Sequence, residues 1–240
     1  MVVGFALLLS LGSSAPARVH GLRGATIVID PGHNGRNWAH PREINRLVDA
    51  GTLRKACDTT GTRTASGYSE AAFTFDVALR LRTLLQAAGA RVVLTRTSND
   101  GWGPCITERA AIGNRADADA AISIHADGGP AEGRGFHVIY PRAIRGLTDD
   151  IAAPSRCLAL AMRRAYRKGT GFPYATYIGR RGLSARSDLG GLNRSDVPKV
   201  FVETGNMRNR TDAALLERAA VRRRIAAALA SGLRRYFAGC

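Results

Sequence analysis

Short apolar runs rich in β-branched residues alternate along this chain with longer segments of helical periodicity. The helical pattern is clearest after residue 70, where apolar side chains recur every three or four residues up to Gly89, a residue suited to ending a helix. Strands that alternate with helices build a mostly parallel sheet covered on both faces. We therefore predict an α/β fold with a central twisted sheet of about six strands. Strands are predicted at residues 25–30, 91–95, 120–125, 136–140, 175–178 and 199–203, and further helices near 106–117, 153–168 and 212–237.

The length and apolar content of the chain suffice for one hydrophobic core. It has 240 residues, of which 45% are hydrophobic, a size at which α/β folds form a single domain. We place that domain at residues 24–238. The N-terminal MVVGFALLLSLGSSAPA is typical of a secretory signal at residues 1–17, cleaved after Ala17, and the alternative is a disordered or membrane-grazing N-terminus. The apolar stretch is too short for a stable membrane span.

Four polar residues stand where a predicted strand ends or a helix begins. His33 follows TIVIDPG, Glu70 opens a helical segment, His125 closes AAISI, and Glu203 closes KVFV. The carboxyl ends of parallel strands meet at one edge of a sheet, where α/β folds bind their ligands. Two His, one Glu and a spare Glu match a catalytic zinc site, in which three ligands leave one position to water and a further acid acts as the base.

Each of these residues also has a structural interpretation. A single His after a strand is commonly a hydrogen-bonded structural residue, and Glu70 favours the helix macrodipole behind an N-cap at Ser69. Glu203 is harder to explain in this way, because a carboxylate that directly follows a buried strand is costly without a partner. The same placement at four points favours the metal site. Asp30 fits either the orientation of a ligand His or a tight Asp-Pro-Gly turn.

Longer motifs extend the pattern beyond these single residues. They are IVIDPGHNG, GYSEAAFTFDVALRLRTLLQAAGARVVLTR, ERAAIGNRADADAAISIHADGG, GRGFHVIY and DLGGLNRSDVPKVFVETGNMRN. In content and order they resemble the zinc-dependent N-acetylmuramoyl-L-alanine amidases of the Amidase_3 family, especially the single-domain exported members from actinobacteria. The resemblance runs from about residue 24 to the C-terminus. Two departures are Asp127, where many members carry Asn, and VETGNMRN in place of the more usual E-x-G-F-x-S-N.

The resemblance implies a function and a role for each of the four residues. It implies that His33, Glu70 and His125 bind one Zn²⁺ per chain and that Glu203 is the catalytic carboxylate. It also implies hydrolysis of the amide between N-acetylmuramic acid and L-alanine of the peptidoglycan stem peptide. The substrates are then peptidoglycan fragments and muropeptides, and the protein is exported to the periplasmic space, the cell wall or the medium. We expect a monomer. Two alternatives remain open: a zinc peptidase or deacylase acting on another amide, and a catalytically inactive cell-wall-binding module.

The cysteines and the segment at residues 35–67 complete the predicted site. Four cysteines are compatible with export, and the resemblance implies a disulfide between Cys57 and Cys105. Residues 35–67 form a long polar segment, which we interpret as a flap-like insertion beside the metal, held by Cys57. Its His40 is expected at the surface. The candidates for binding carboxylates of the substrate are Arg96, Arg186 and Asn193.

The net charge of +16 requires a separate explanation, because strongly basic chains often bind nucleic acid. The excess is almost entirely arginine, and dense clusters at residues 222–224 and 234–235 fall on a predicted helix whose other side is apolar. No aromatic residues alternate with these arginines to stack on bases, and no nucleic-acid-binding motif occurs. We therefore expect no nucleic-acid partner. A solvated outer face or attraction to an anionic cell wall explains the same charge, and salt would weaken that attraction.

Overall fold

The structure is a computed structural model that describes residues 21–239, so the signal peptide predicted at residues 1–17 lies outside the described residues. None of the described helices is long and apolar enough to cross a membrane. The strands are β1 (Thr26–Pro31), β2 (Leu47–Asp49), β3 (Arg54–Ala56), β4 (Arg91–Leu94), β5 (Ala120–Asp127), β6 (His137–Pro141), β7 (Leu183–Arg186) and β8 (Lys199–Asn206). The helices are α1 (Pro41–Asn45), α2 (Glu70–Ala87), α3 (Ile106–Arg115), α4 (Ala152–Thr170), α5 (Gly190–Asn193), α6 (Arg210–Leu216) and α7 (Ala219–Phe237).

Six strands form one sheet in the order β4-β1-β5-β8-β6-β7. The first four strands in this order run parallel to one another. β6 pairs antiparallel with β8 and parallel with β7, so these last two strands run against the others. The prediction of a single α/β domain with a mostly parallel six-stranded sheet is confirmed.

The strands direct their side chains to two faces of the sheet: an apolar face that carries the main core, and an opposite face that carries a smaller apolar cluster with Val28 and Ala121 as well as polar side chains. Val200 and Val202 of β8 lie in the main core, which the strands share with α2, α4 and α7. Because successive side chains of a strand point to opposite faces, Phe201 and Glu203 project to the other face, where they line a cavity with His33. α3 contacts β1 on the sheet, and α5 contacts both α3 and β6. The opposite face therefore carries the candidate site.

Two predicted elements differ from the structure. The predicted strand at 175–178 is wrong. The chain makes an isolated bridge between Tyr174 and Phe136 just before these residues, and the strand that pairs with this side of β6 is β7, further along the chain. The helix predicted at 212–237 is divided into α6 and α7, because Arg218 takes an extended conformation between them.

Residues 35–67 contain a 3₁₀ helix (Asn37–Ala39), α1 and the two-stranded β2–β3 hairpin. A disulfide joins Cys57, just after this hairpin, to Cys105 at the start of α3. Both cysteines are buried. The segment is therefore anchored covalently next to the end of β1.

Replacing both Cys57 and Cys105 by Ser is expected to lower the free energy of unfolding by about 2 to 4 kcal/mol. The bond closes a loop with a sequence separation of 48 residues, and its loss releases conformational entropy in the unfolded chain. Urea unfolding of the double variant and the wild type measures the difference. Non-reducing peptide mapping of the wild type provides the control, since recovery of both residues as free thiols would contradict the assigned bond.

Candidate active site

His33, Glu70 and His125 converge at the carboxyl edge of the sheet. His33 lies two residues beyond the end of β1, Glu70 is the first residue of α2, and His125 belongs to β5. One ligand atom from each of the three lies within 4.8 Å of those from the other two. His33 Nε2 is 3.2 Å from Glu70 Oε2, and His125 Nδ1 is 2.9 Å from Glu70 Oε1. The structure thus brings together the three residues predicted as metal ligands.

Two glycines make this close approach possible. A Cβ at Gly32 would lie 2.3 Å from His125 Cε1. A Cβ at Gly61 would lie 2.8 Å from both Glu70 Oε2 and His33 Cδ2, and Gly61 has a φ of +70°. His33 itself has a φ of 58°, a left-handed conformation that is uncommon for a residue with a side chain. The backbone is therefore fitted closely around the three polar side chains.

The second ring nitrogen of His33 is held by its surroundings. His33 Nδ1 donates to the carbonyl of Thr59 at 3.0 Å and lies 3.4 Å from Asp58 Oδ1. Such partners fix the orientation of a ligand histidine and leave Nε2 directed at the metal position. Burial lowers the pKa of His33, but the Glu70 and Asp58 carboxylates raise it by more, to about 10. The site therefore has a strong electrostatic preference for positive charge.

Glu203 lies beside these three residues but outside their group. It ends the apolar part of β8, where it pairs with His125 on one side and His137 on the other. Its Oε2 atom is buried and has no hydrogen-bond partner among the described residues. Burial, followed by the charges of Glu70 and Asp127, raises the pKa of Glu203 well above its usual range. A carboxyl with a raised pKa is suited to general acid–base catalysis.

The donor set fits zinc. Two imidazoles and one carboxylate are the nitrogen and oxygen ligands of many catalytic zinc sites, which leave a further position open. The three residues border an open cavity of about 310 Å³ that also contacts Glu203 and Arg186. The unpaired Glu203 oxygen belongs to a residue that lines the same cavity.

A buried network of charged side chains contacts the backbone of His33. Arg109 Nη1 donates to Asp30 Oδ1 at 2.9 Å, and Arg109 Nη2 donates to Asp58 Oδ2 at 3.0 Å and to the His33 carbonyl at 2.9 Å. Lys199 Nζ lies 3.2 Å from Asp30 Oδ2. Asp30, predicted either to orient a ligand His or to stabilise a turn, contacts Arg109, which in turn donates to the His33 carbonyl. Arg109 and Asp58 were not predicted from the sequence.

The free energy of unfolding is expected to fall as the pH decreases below about 4. Burial raises the pKa of Asp30, but Lys199 and Arg109 lower it by more, so its folded pKa is well below its usual range. The ionised carboxylate therefore stabilises the fold above the unfolded pKa, and this contribution is lost as the pH falls toward the folded pKa, at up to about 1.4 kcal/mol per pH unit. Denaturant unfolding of chelator-treated protein between about pH 5 and pH 3 measures the slope. Asp30→Asn, which removes the titrating carboxyl, should flatten the slope, and an unchanged slope in this variant would rule out Asp30 as its source.

The other candidate residues occupy different environments. Arg186 borders the open cavity and pairs with Asp188. Arg96 and Asn193 are unsuited to binding a substrate carboxylate, because both are buried and donate to backbone carbonyls. His40 is a third exposed and stacks on Trp102, outside the group of three. A second cavity of about 190 Å³, mostly apolar, lies against His33, His125 and Phe201.

Comparison with known proteins identifies relatives along almost the whole chain. The family model described as N-acetylmuramoyl-L-alanine amidase, Amidase_3, matches residues 27–235. The chain is 44% identical to N-acetylmuramoyl-L-alanine amidase Rv3717 of Mycobacterium tuberculosis, over 96% of this chain and 92% of that protein. The crystal structure of the amidase Ami1 from Mycobacterium smegmatis matches with a TM-score of 0.84 and 42% identity, covering 90% of this chain and 98% of that one. Ami1 from Mycobacterium abscessus gives a TM-score of 0.83 and 42% identity, covering 89% and 99%.

Proposed function

Because the chain belongs to the N-acetylmuramoyl-L-alanine amidase family, we propose that it is a zinc-dependent peptidoglycan hydrolase. Its substrate is the amide between the lactyl group of N-acetylmuramic acid and L-alanine of the stem peptide. The observation that carries the proposal is the convergence of His33, Glu70 and His125 beside Glu203, whose Oε2 atom is buried and unpaired and which does not belong to their group. Export to the cell wall agrees with this substrate and with the Cys57–Cys105 disulfide.

In this proposal His33, Glu70 and His125 hold one zinc ion. When bound, zinc supplies Lewis acidity toward the scissile carbonyl and makes a water molecule more acidic. Thr59 and Asp58 hold the outer nitrogen of the His33 ring, so that the ring does not have to reorient when the ion binds.

Glu203 moves the proton of the reaction. Its Oε2 atom accepts a proton from the attacking water as the water oxygen bonds to the lactyl carbonyl carbon. The same carboxyl then donates that proton to the alanine nitrogen as the carbon–nitrogen bond breaks, which yields a carboxylic acid and a free amine. The raised pKa of Glu203 suits a group that must both accept and donate a proton.

Incubation of the protein with a defined muropeptide, with and without a chelator, tests the function. The expected product is a free stem peptide that begins with L-alanine, formed by the untreated protein, lost with the chelator and regained when zinc is added back. A peptide cut between amino acids, or released acetate, would instead identify a peptidase or a deacylase. Binding to peptidoglycan without any product would identify an inactive wall-binding module.

A further inference from the structure

Helices α4 and α7 carry a large share of the positive charge of the chain. Each contains five Lys or Arg residues and no Asp or Glu, whereas the whole chain has 35 basic and 19 acidic residues. The two helices pack against each other along their lengths. The two helices therefore bring ten cationic side chains together in one region of the molecule, and neither helix contributes an acidic residue there.

Most of these side chains have no partner among the residues that the structure describes. Arg222 pairs with Asp76, while Arg163 and Arg167 donate to backbone carbonyls. The other seven are exposed and make no ion pair or side-chain hydrogen bond with residues 21–239. We call these seven the α4–α7 basic surface: Arg156, Arg164, Lys168, Arg223, Arg224, Arg234 and Arg235.

A groove runs between the two helices at the centre of this surface. Gly169 of α4 faces Ala228 of α7 so closely that a Cβ on the glycine would lie 2.8 Å from the alanine Cβ. The floor of the groove is consequently made of small residues, whereas Lys168, Arg224 and Arg235 line it with charge, around a volume of about 340 Å³. Cations that surround a shallow groove form a favourable position for an anionic group.

This surface is separate from the candidate active site. α4 and α7 cover the apolar face of the sheet, whereas Glu203 and Phe201 project from the opposite face. Neither of the two cavities at the active site contains a described residue of α4 or α7. A polymer bound between α4 and α7 would therefore leave the active site open to substrate.

We propose that the α4–α7 basic surface binds a phosphodiester-linked anionic polymer of the cell envelope and retains the enzyme near its substrate. Guanidinium groups match phosphate oxygens in charge and geometry. Insertion into a membrane requires a large apolar outer face, but none of the exposed large hydrophobic residues belongs to α4 or α7. Single-stranded nucleic acid would require exposed aromatic rings for stacking, and these two helices do not provide them.

The test removes charge from the groove and, as a control, from another surface. The variant Lys168→Gln/Arg224→Gln/Arg235→Gln loses three cations of the groove. Its control, Arg145→Gln/Arg208→Gln/Arg210→Gln, loses three exposed cations that lie outside α4 and α7 and have no side-chain partner in residues 21–239. Binding to a poly(glycerol phosphate) oligomer is measured as a function of salt concentration, and hydrolysis of a soluble muropeptide is measured in parallel.

We expect the groove variant to bind the oligomer at least about tenfold more weakly than the wild type at low salt. The slope of the logarithm of its binding constant against the logarithm of salt concentration should be smaller in magnitude by about two to three. The control variant should stay close to the wild type, and both variants should hydrolyse the muropeptide at the wild-type rate. Equal losses in the two variants would mean that only net charge matters, and would overturn the assignment of this surface. Tighter wild-type binding to phosphatidylglycerol vesicles or to a DNA oligonucleotide than to the oligomer would overturn the assignment of the polymer.

Discussion

Replacement of Glu203 by Gln is expected to lower kcat about 10²- to 10⁴-fold while leaving the zinc content unchanged. Gln has almost the same shape as Glu but cannot accept a proton from water or carry it to the leaving amine. Glu203 lies outside the group formed by His33, Glu70 and His125, so the set of metal ligands stays intact. Steady-state hydrolysis of a defined muropeptide, together with metal analysis of the same sample, measures both quantities.

The matched control is Glu132→Gln, which makes the same chemical change at an exposed carboxylate. It should leave both kcat and zinc content at their wild-type values. Loss of zinc from Glu203→Gln would show that Glu203 is a ligand and that the base must be sought elsewhere. A kcat within about threefold of the wild type would exclude a role in proton transfer, since such roles are worth far more.

Three of the four residues at the sheet edge could be predicted from the sequence because one physical rule places them. His33, His125 and Glu203 each follow an apolar run, and parallel strands end at the same edge. Glu70 joins them because α2 begins at that edge, with Ser69 as its N-cap. Local patterns were therefore sufficient to group side chains that are distant along the chain.

The buried ion pairs of Arg109 next to this site could not be predicted in the same way. Arg109 reaches Asp30 and Asp58 across separations of 79 and 51 residues, and no local pattern encodes that contact. In a chain so rich in arginine, Arg109 could not be distinguished from the many arginines exposed on helices. Its position one turn into α3, which starts at the disulfide-bonded Cys105, is the signal that could have drawn attention to it.

The edge strand β7 was missed for a related reason. Its sequence, LSAR, contains no β-branched residue, so its pattern does not indicate a strand. Pairing with β6, from Val138 to Pro141, gives it strand geometry. The conformation of such an edge strand depends more on pairing with its neighbour than on the β propensity of its own residues. β7 also carries Arg186, which lines the active-site cavity.

Replacement of either His33 or His125 by Ala is expected to abolish both zinc retention and hydrolysis. Each change removes one of three ligands, and a site with one imidazole and one carboxylate holds zinc weakly. The loss can be separated from misfolding by unfolding the proteins with and without added zinc. A ligand that binds only the folded state stabilises it, by about 2.7 kcal/mol at 100 times its dissociation constant. The wild type should show this stabilisation and both variants should lack it.

His40→Ala is the matched control, because it removes an imidazole from the same part of the chain without touching the group of three. His40 Nδ1 lies 3.6 Å from Glu43 Oε1, and the His40 ring stacks on Trp102. The variant should therefore keep its zinc, its zinc-dependent stabilisation and its activity. The ligand set is wrong if His125→Ala retains the wild-type zinc content, since the ion would then be held without β5. It is also wrong if His40→Ala loses zinc, because the metal would then bind in the segment before the β2–β3 hairpin and not at the edge of the sheet.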